Sequence, residues 1–505
     1  MNTEYVLQDC AADRKRWWAL LVLCLGVLMI VLDTTVVNVA LPSIRAELKF
    51  SETSLVWVIN AYMLTFGGCL LLGGRLGDLF GHRRLFLWGV TLFTLASLAC
   101  GLSTSQTLLI AARAVQGVAG AVVSAVALSL IMNLFVEPDE RAKAMGIYGF
   151  VCSAGGSIGL LLGGVLTSSL NWHWVFLINV PIGIVVCLLV AGLLAKAASE
   201  DSKPSLDIAG AVTVTTSLTL AVYAVVNGNE TGWTSARTLG LLGCAAALFA
   251  AFLVIESRAR APLMPLGLFR LRSLVVANIA ATLWAASMFA WFFISTLYLQ
   301  LVLGAGPLQV GFAFLPANLI MAAFSLGLSA KLVMRFGIKR PLAGGLLCAA
   351  AGLAFFARAP VGGSVVADVL PGMLLLGLGA GMAFNPLLLA AMTGVPSRDS
   401  GLASGVVNTA FMMGGSLGLA VLASLAAARS GTLLAAGVDH AAALLGGYHV
   451  AFASGVLFAL SAGLLAIVLL PPERSEPAGK GSAAAQAPAL GARDGEARAV
   501  REAVE

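Results

Sequence analysis

Charge is what this sequence has least of. Only 11% of its 505 residues are Asp, Glu, Lys or Arg, where a soluble domain carries roughly 25%. With 59% hydrophobic residues and a mean hydropathy of +0.96, the chain has too little polar surface to sit folded in water, and lipid is its expected solvent. Histidine is scarce, at four residues, and neither an H-E-x-x-H nor a G-x-x-x-x-G-K-[ST] run occurs. The patterns of a zinc hydrolase and of an ATP-driven P-loop are therefore missing, and no cofactor is expected. The eight cysteines form no C-x-x-C pair, and all but Cys10 fall inside apolar runs. They read as small packing residues rather than as a disulfide or zinc framework. A net charge of +6 would suit a nucleic-acid partner, but the placement of the cations speaks against one.

What is present is apolar length. Fourteen hydrophobic segments stand at about 17–41, 54–74, 85–103, 107–134, 142–168, 174–195, 207–227, 237–256, 274–302, 309–331, 341–359, 364–392, 402–428 and 447–470. Continuous runs of this length predict helices, because a chain in hydrocarbon must satisfy its own backbone. A membrane barrel would show ten-residue alternation instead. The first run is too long for a signal-peptide core and is expected to be a retained helix. With the N-terminal side taken as inside, 24 of the 30 lysines and arginines fall in inside segments and five outside, with Arg113 alone placed within a span. This bias predicts that both termini are cytoplasmic.

The chain also repeats. The stretch Gly74 to Arg84 after the second segment aligns with Ala330 to Arg340 after the tenth at an offset of 256 residues, with Leu76, Phe80, Gly81 and Arg84 recurring as Leu332, Phe336, Gly337 and Arg340. Such a repeat predicts two six-helix halves with an extra helix pair between them. The expected layout is a cytoplasmic stretch 1–16, a six-helix bundle 17–196, an added pair 207–256, a second bundle 274–470 and a disordered tail 471–505.

Several motifs resemble those of the major facilitator superfamily. Gly74-Arg75-Leu76-Gly77-Asp78-Leu79-Phe80-Gly81-His82-Arg83-Arg84 is similar to its motif A, departing at Leu79, where a basic residue is usual. Leu108 to Gly117, carrying Arg113, resembles motif B. Gly146, Gly155, Gly159, Gly163 and Gly164 keep the glycine spacing of motif C, the antiporter motif, with Leu160 in place of its proline. Leu32-Asp33-Thr34-Thr35-Val36-Val37-Asn38 to Pro42, Trp57 to Tyr62 and Trp172-His173-Trp174 to Pro181 resemble the fourteen-helix drug:proton antiporter branch, with His173 where arginine is commoner. The resemblance implies an all-α polytopic membrane protein of the major facilitator fold with fourteen transmembrane helices. It also implies a gating role for Gly74, Asp78, Gly81, Arg83 and Arg84, and proton coupling that Arg113 influences.

Asp33 is the leading site residue. It lies about 16 residues, or roughly 24 Å, into the first segment. A charged acid there costs about 2.5–3.5 kcal/mol on insertion scales, so a carboxyl in this place suits reversible protonation; a neutral Asp bonded only to Thr34, Thr35 or Asn38 is the structural alternative. Asn38, Trp57, Asn60, Tyr62, Trp284, Trp291, Gln300, Asn318 and Asn408 are candidates to line a substrate cavity, with helix packing as the other reading of each. Trp17, Trp18, Trp172 and Trp174 suit the membrane interface.

The expected function is proton-driven export of hydrophobic or amphipathic compounds across the inner membrane by alternating access. The proton gradient is the driving force, the partners are substrate, protons and membrane lipid, and nucleic acid is not among them. A periplasmic adaptor is left open. A dedicated exporter of one metabolite or lipid is the alternative, and a membrane-bound sensor or enzyme is the reading from another class.

Overall fold

The computed structural model describes residues 3–135, 137–193, 207–259, 262–264, 266–395 and 400–470. The expected tail 471–505 lies outside them. Its fourteen longest helices are α1 (Thr3–Leu48), α2 (Trp57–Phe80), α3 (His82–Gly101), α4 (Gln106–Leu134), α5 (Pro138–Ser169), α6 (Asn179–Leu193), α7 (Ile208–Thr231), α8 (Ala236–Arg258), α9 (Arg272–Leu297), α10 (Pro307–Ala323), α11 (Lys339–Phe356), α12 (Leu370–Met392), α13 (Ser400–Ala435) and α14 (His440–Leu469). Polar caps start several of them: Ser105, Asp207, Ser235 and Asp439 each accept a first-turn backbone N–H. Large apolar side chains such as Trp88, Leu188 and Val468 are exposed on the outer helix faces, as suits a surface turned to lipid.

Among the described residues, twelve helices are long and apolar enough to cross a membrane, and Pro307–Ala323 is a shorter apolar one. The expected fourteen thus become twelve and a remainder. The tenth segment is broken: α10 gives way to a π-turn at Phe324–Leu328, where Gly327 has φ 122°, before a last helical piece, Ser329–Phe336. The eleventh has only 18 residues and opens on Lys339 and Arg340, which dilute its apolar length. The first helix also outruns its expected bounds. It begins inside 1–16 and continues through Pro42 to Leu48.

Helices α1 to α6 pack mainly among themselves, as do α9 to α14. The two groups meet along α5 with α10 and along α2 with α13. At the first seam a methyl on Gly164 would stand 2.8 Å from Pro307 O, and one on Gly311 would stand 3.0 Å from Leu160 O. Only glycine permits that approach. Helix α7 lies over the second seam. Leu64 of α2, Val222, Val225 and Val226 of α7 and Ala420 of α13 form a separate apolar cluster, and Asn229 Nδ2 donates to Ser424 O at 2.7 Å.

The repeat has a physical counterpart. Helix α2 ends at Gly81 with φ 82°, and the piece after α10 ends at Gly337 with φ 76°, a backbone region where glycine carries no steric penalty. Two residues later, Arg83 Nη2 donates to Ala191 O near the end of α6 at 2.9 Å, and Lys339 Nζ donates to Leu470 O just beyond α14 at 3.2 Å. Each is a cation set on the carbonyl end of a helix, where the helix dipole favours positive charge.

Candidate functional site

Five helices bring one polar cluster together. Helix α4 lies close on α2, where Thr65 Oγ1 donates to Ala114 O at 2.8 Å. That contact sets Arg113 beneath Tyr62, with its guanidinium carbon 4.4 Å from the ring centre. Arg113 Nε donates to Val58 O at 2.9 Å, and Nη1 bonds both Asp33 Oδ2 of α1 and Gln116 Oε1, the latter at 2.8 Å. Asp33 Oδ1 accepts the amide N–H groups of Gln116 at 2.7 Å and of Asn179, the first residue of α6, at 3.0 Å. Both amides also donate to Ser97 Oγ of α3, which itself donates to Phe176 O at 2.9 Å.

Asp33 and Arg113 are each only 1% exposed. A buried pair survives when its remaining donors and acceptors are satisfied, and Gln116, Asn179, Ser97 and the Val58 carbonyl supply those partners. Thr34, Thr35 and Asn38 do not. They donate to carbonyls of their own helix, at Val31, Leu32, Thr34 and Thr35, so the local alternative for Asp33 is replaced by a network spanning α1, α2, α3, α4 and α6. Gln116 and Asn179 lie inside sequence motifs noted above, but no spacing along the chain announces that they converge on Asp33.

The glycines of motif C divide. A methyl on Gly155 would stand 2.9 Å from Leu28 Cδ1, and one on Gly163 would stand 2.7 Å from Val36 O. Gly159 faces Thr35 and Leu32 O. These three seat α5 on the helix that carries Asp33, and Gly164 faces α10. Gly146 is exposed and has nothing within 4 Å. Helix α5 runs unbroken past Leu160, consistent with the missing proline. In motif A, Gly81 makes the turn, whereas Gly74 lies within α2 with open space around it. Arg83 reaches the end of α6, Arg84 is exposed, and the side chain of Asp78 lies outside those described.

The cavity candidates differ in their surroundings. Asn60, Tyr62, Trp284 and Trp291 are buried, and the Asn60 amide, the Tyr62 hydroxyl and both indole N–H groups have no hydrogen-bond partner. Trp291 packs on Phe314, with ring centres 5.6 Å apart. Asn318 is buried with Nδ2 unpaired, and Asn408 Nδ2 donates to Ser404 O of its own helix at 3.0 Å. Trp57 faces Tyr223 of α7. Gln300 Nε2 donates to Val39 O of α1 at 2.8 Å, tying the two helix groups together. A groove of about 310 Å³ lies along α3 and α4, lined by Leu85, Trp88, Leu92, Leu95 and their apolar neighbours. It contains none of the polar candidates, and exposed Trp88 and Leu95 mark it as lipid-facing surface.

Trp172 is not an exposed interface anchor. It is buried, and its Nε1 donates to Glu47 Oε2 at 2.7 Å. His173 stacks on it and sets its ring nitrogens 2.9 Å from Gly101 O and 3.2 Å from Glu47 Oε1. The histidine thus ties the loop before α6 to the ends of α1 and α3.

Comparison with known proteins places these features in a wider set. The family profile described as Major Facilitator Superfamily matches residues 23–419. The chain is 39% identical to the puromycin resistance protein pur8 of Streptomyces alboniger, over 94% of this chain and 95% of that one. It is 39% identical to the cephamycin export protein CmcT of Amycolatopsis lactamdurans, over 91% and 94% of the two chains. The multidrug resistance protein Stp of Mycobacterium tuberculosis (strain CDC 1551 / Oshkosh) is 35% identical, over 82% and 77%. Among solved structures, a bacterial homologue of the human lysosomal transporter Spinster, captured inward-facing and unoccupied, superimposes with a TM-score of 0.63 at 17% identity, covering 90% of this chain and 97% of that one.

Proposed function

The chain belongs to the major facilitator superfamily, and from that premise we propose that it is a proton-coupled antiporter exporting hydrophobic or amphipathic compounds, antibiotics among them. Its place in the fourteen-helix branch is part of the same reading, with α10 and α11 counted as the spans that the broken and short helices stand for. So is the division into bundles 17–196 and 274–470 with an inserted pair at 207–256, both termini cytoplasmic in the inner membrane. The observation that carries the reading is the Asp33 cluster: one acid, buried in the first helix, balanced by Arg113, Gln116 and Asn179.

The chemistry follows from that balance. Arg113, Gln116 and Asn179 all donate to the carboxylate, so the cluster as it stands suits the charged acid. Protonation removes the charge that Arg113 answers and weakens the hold of α4 on α1. Access for the proton requires these contacts to part, because Asp33 is shut from solvent here. Rocking of the halves is the motion available to part them, with Gly155, Gly159 and Gly163 as the close-packed bearing between α5 and α1. A proton crossing inward through 100 mV releases about 2.3 kcal/mol, which is available to drive substrate the other way.

The relatives' names support export of toxic compounds as the cargo class. Some specify one compound, as puromycin and cephamycin do, and these favour the second reading, a dedicated exporter. Cells expressing the chain and loaded with a chemically varied set of antibiotics separate the two. Broad export lowers the accumulation of many unrelated compounds, and a dedicated exporter lowers one group only. In either case a protonophore abolishes the effect, and ATP depletion with the gradient maintained leaves it intact. Extrusion that persists after the gradient is collapsed contradicts proton coupling.

A further inference from the structure

The groove along α3 and α4 has a cation at its mouth. On α3 its wall is a stripe at helical spacing, Trp88, Leu92 and Leu95, and Arg84 stands one turn before Trp88 on the same face. Arg84 is exposed, whereas Arg83 beside it is bonded to Ala191 O. It lies in the first turn of α3, just past the Gly81 turn, where the helix enters the membrane. Trp88, one turn deeper and exposed, suits the interface between headgroups and hydrocarbon.

The floor of the groove is made of small residues. Gly89 and Ala119 are buried where the two helices touch, and a methyl on Gly89 would stand 2.8 Å from Val123 Cγ2 and 3.5 Å from Ala119 O. Bulkier Leu85 and Leu92 on α3 and Val118 and Val122 on α4 border that floor, so the seam is concave. Thr91 Oγ1 in the lining already donates to Leu87 O at 2.8 Å. The length is also telling. The eleven residues from Arg84 to Leu95 rise roughly 16 Å at 1.5 Å per residue, and half of a bilayer's hydrocarbon core is about 15 Å. The groove therefore runs the depth of one leaflet from a cation at the water's edge. A protein helix, about 10–12 Å across with its side chains, is too thick to seat in about 310 Å³, whereas a single hydrocarbon chain fits and gains contact on several sides.

We propose that the α3–α4 groove binds an anionic phospholipid, with the headgroup paired to Arg84 and one acyl chain laid along Trp88, Leu92 and Leu95. A zwitterionic lipid fits the apolar part equally but carries its own cation, so Arg84 selects the net negative headgroup. The site backs onto the Asp33 cluster. Ser97 is two residues beyond Leu95 on α3, and Gln116 is two before Val118 on α4, and these two bond each other on the far side of the same seam. A lodged lipid braces α3 against α4 at that level.

Trp88 reports on the site by its fluorescence. The full chain is reconstituted in phosphatidylcholine vesicles containing a small fraction of lipid with brominated, quenching acyl chains, either phosphatidylglycerol or phosphatidylcholine. The share of Trp88 is the difference between wild type and Trp88→Phe. Brominated phosphatidylglycerol should quench that share about fivefold more effectively than brominated phosphatidylcholine, the preference that one cation at the membrane surface gives. Arg84→Gln should abolish the preference and Arg84→Lys should keep it, and added salt should reduce it in wild type. Equal quenching by the two lipids in wild type would overturn the proposal and leave ordinary boundary lipid only. So would a preference that survives Arg84→Gln, or quenching by neither lipid, which would mean that a second copy of the chain covers the groove. Should Arg84→Gln fail to fold, the salt series on wild type decides, and a preference that salt leaves unchanged would count against Arg84.

Discussion

Replacing Arg113 with methionine removes the guanidinium from Asp33 and keeps an apolar stem of similar length. The change deletes the bonds to Asp33, to Gln116 Oε1 and to Val58 O, together with the contact over Tyr62. Breaking a buried ion pair from one side costs about 3–5 kcal/mol. Two features set the value at the lower end, about 3 kcal/mol. Gln116 and Asn179 still donate to Asp33 Oδ1, and an acid left unpaired in a dry site escapes by taking a proton rather than holding its charge. The loss should therefore shrink as pH is lowered. Adding Asp33→Asn removes the stranded charge, so the double variant should recover about 2 kcal/mol, a coupling of the size expected between groups in one network. The assay is denaturant or thermal unfolding of wild type, both single variants and the double variant in one detergent at several pH values. If the double variant is no more stable than Arg113→Met at any pH, the pair is not the charge balance described here.

Gly163→Ala should lower both stability and transport, by about 1–3 kcal/mol in unfolding, because the methyl meets Val36 O at 2.7 Å. Gly146→Ala, with nothing within 4 Å, should stay within about 0.5 kcal/mol of wild type. Arg83→Ala and Lys339→Ala each cut a cation from a helix end. Being partly exposed, each should change stability by less than about 1 kcal/mol and slow transport in parallel if the two turns do equivalent work in the two halves. Helix α7 is hydrogen-bonded to α13 through Asn229 and Ser424, and it packs on α2 around Leu64 and Val222, where Trp57 also faces Tyr223 and Gly68 faces Thr215. A cysteine cross-link between positions 229 and 424 should therefore leave flux intact, and one between positions 64 and 222 should stop it; the reverse pattern would show that α7 travels with α2.

The helical architecture is legible in the sequence because hydrocarbon tolerates so few solutions. Long apolar runs must be helices, and the recurrence of Gly81 as Gly337 marks two turns that the structure builds with the same positive φ. Less legible was where a helix weakens. Nothing local marks Gly327 as the break in the tenth segment, since other glycines lie in unbroken helix, Gly74 among them. At the site, Asp33 and Arg113 stood out as charges in apolar segments, and the glycine register pointed to close packing of α5. Gln116 and Asn179 were hidden because a neutral amide in a membrane helix is ordinary until its partners are known. The cavity candidates are ambiguous for the same reason. Trp284, Trp291 and Asn60 are polar or aromatic in apolar helices, which fits a lining and fits a core equally, and the structure buries them.

The most direct measurement of the central claim is substrate flux in proteoliposomes under an imposed pH gradient, comparing wild type with Asp33→Asn at equal protein incorporation. The expected result is flux that follows the gradient in wild type, and in the variant only exchange or downhill leak that ignores it. Gradient-driven accumulation of the same size in Asp33→Asn would contradict the assignment of Asp33 as the residue through which the proton acts.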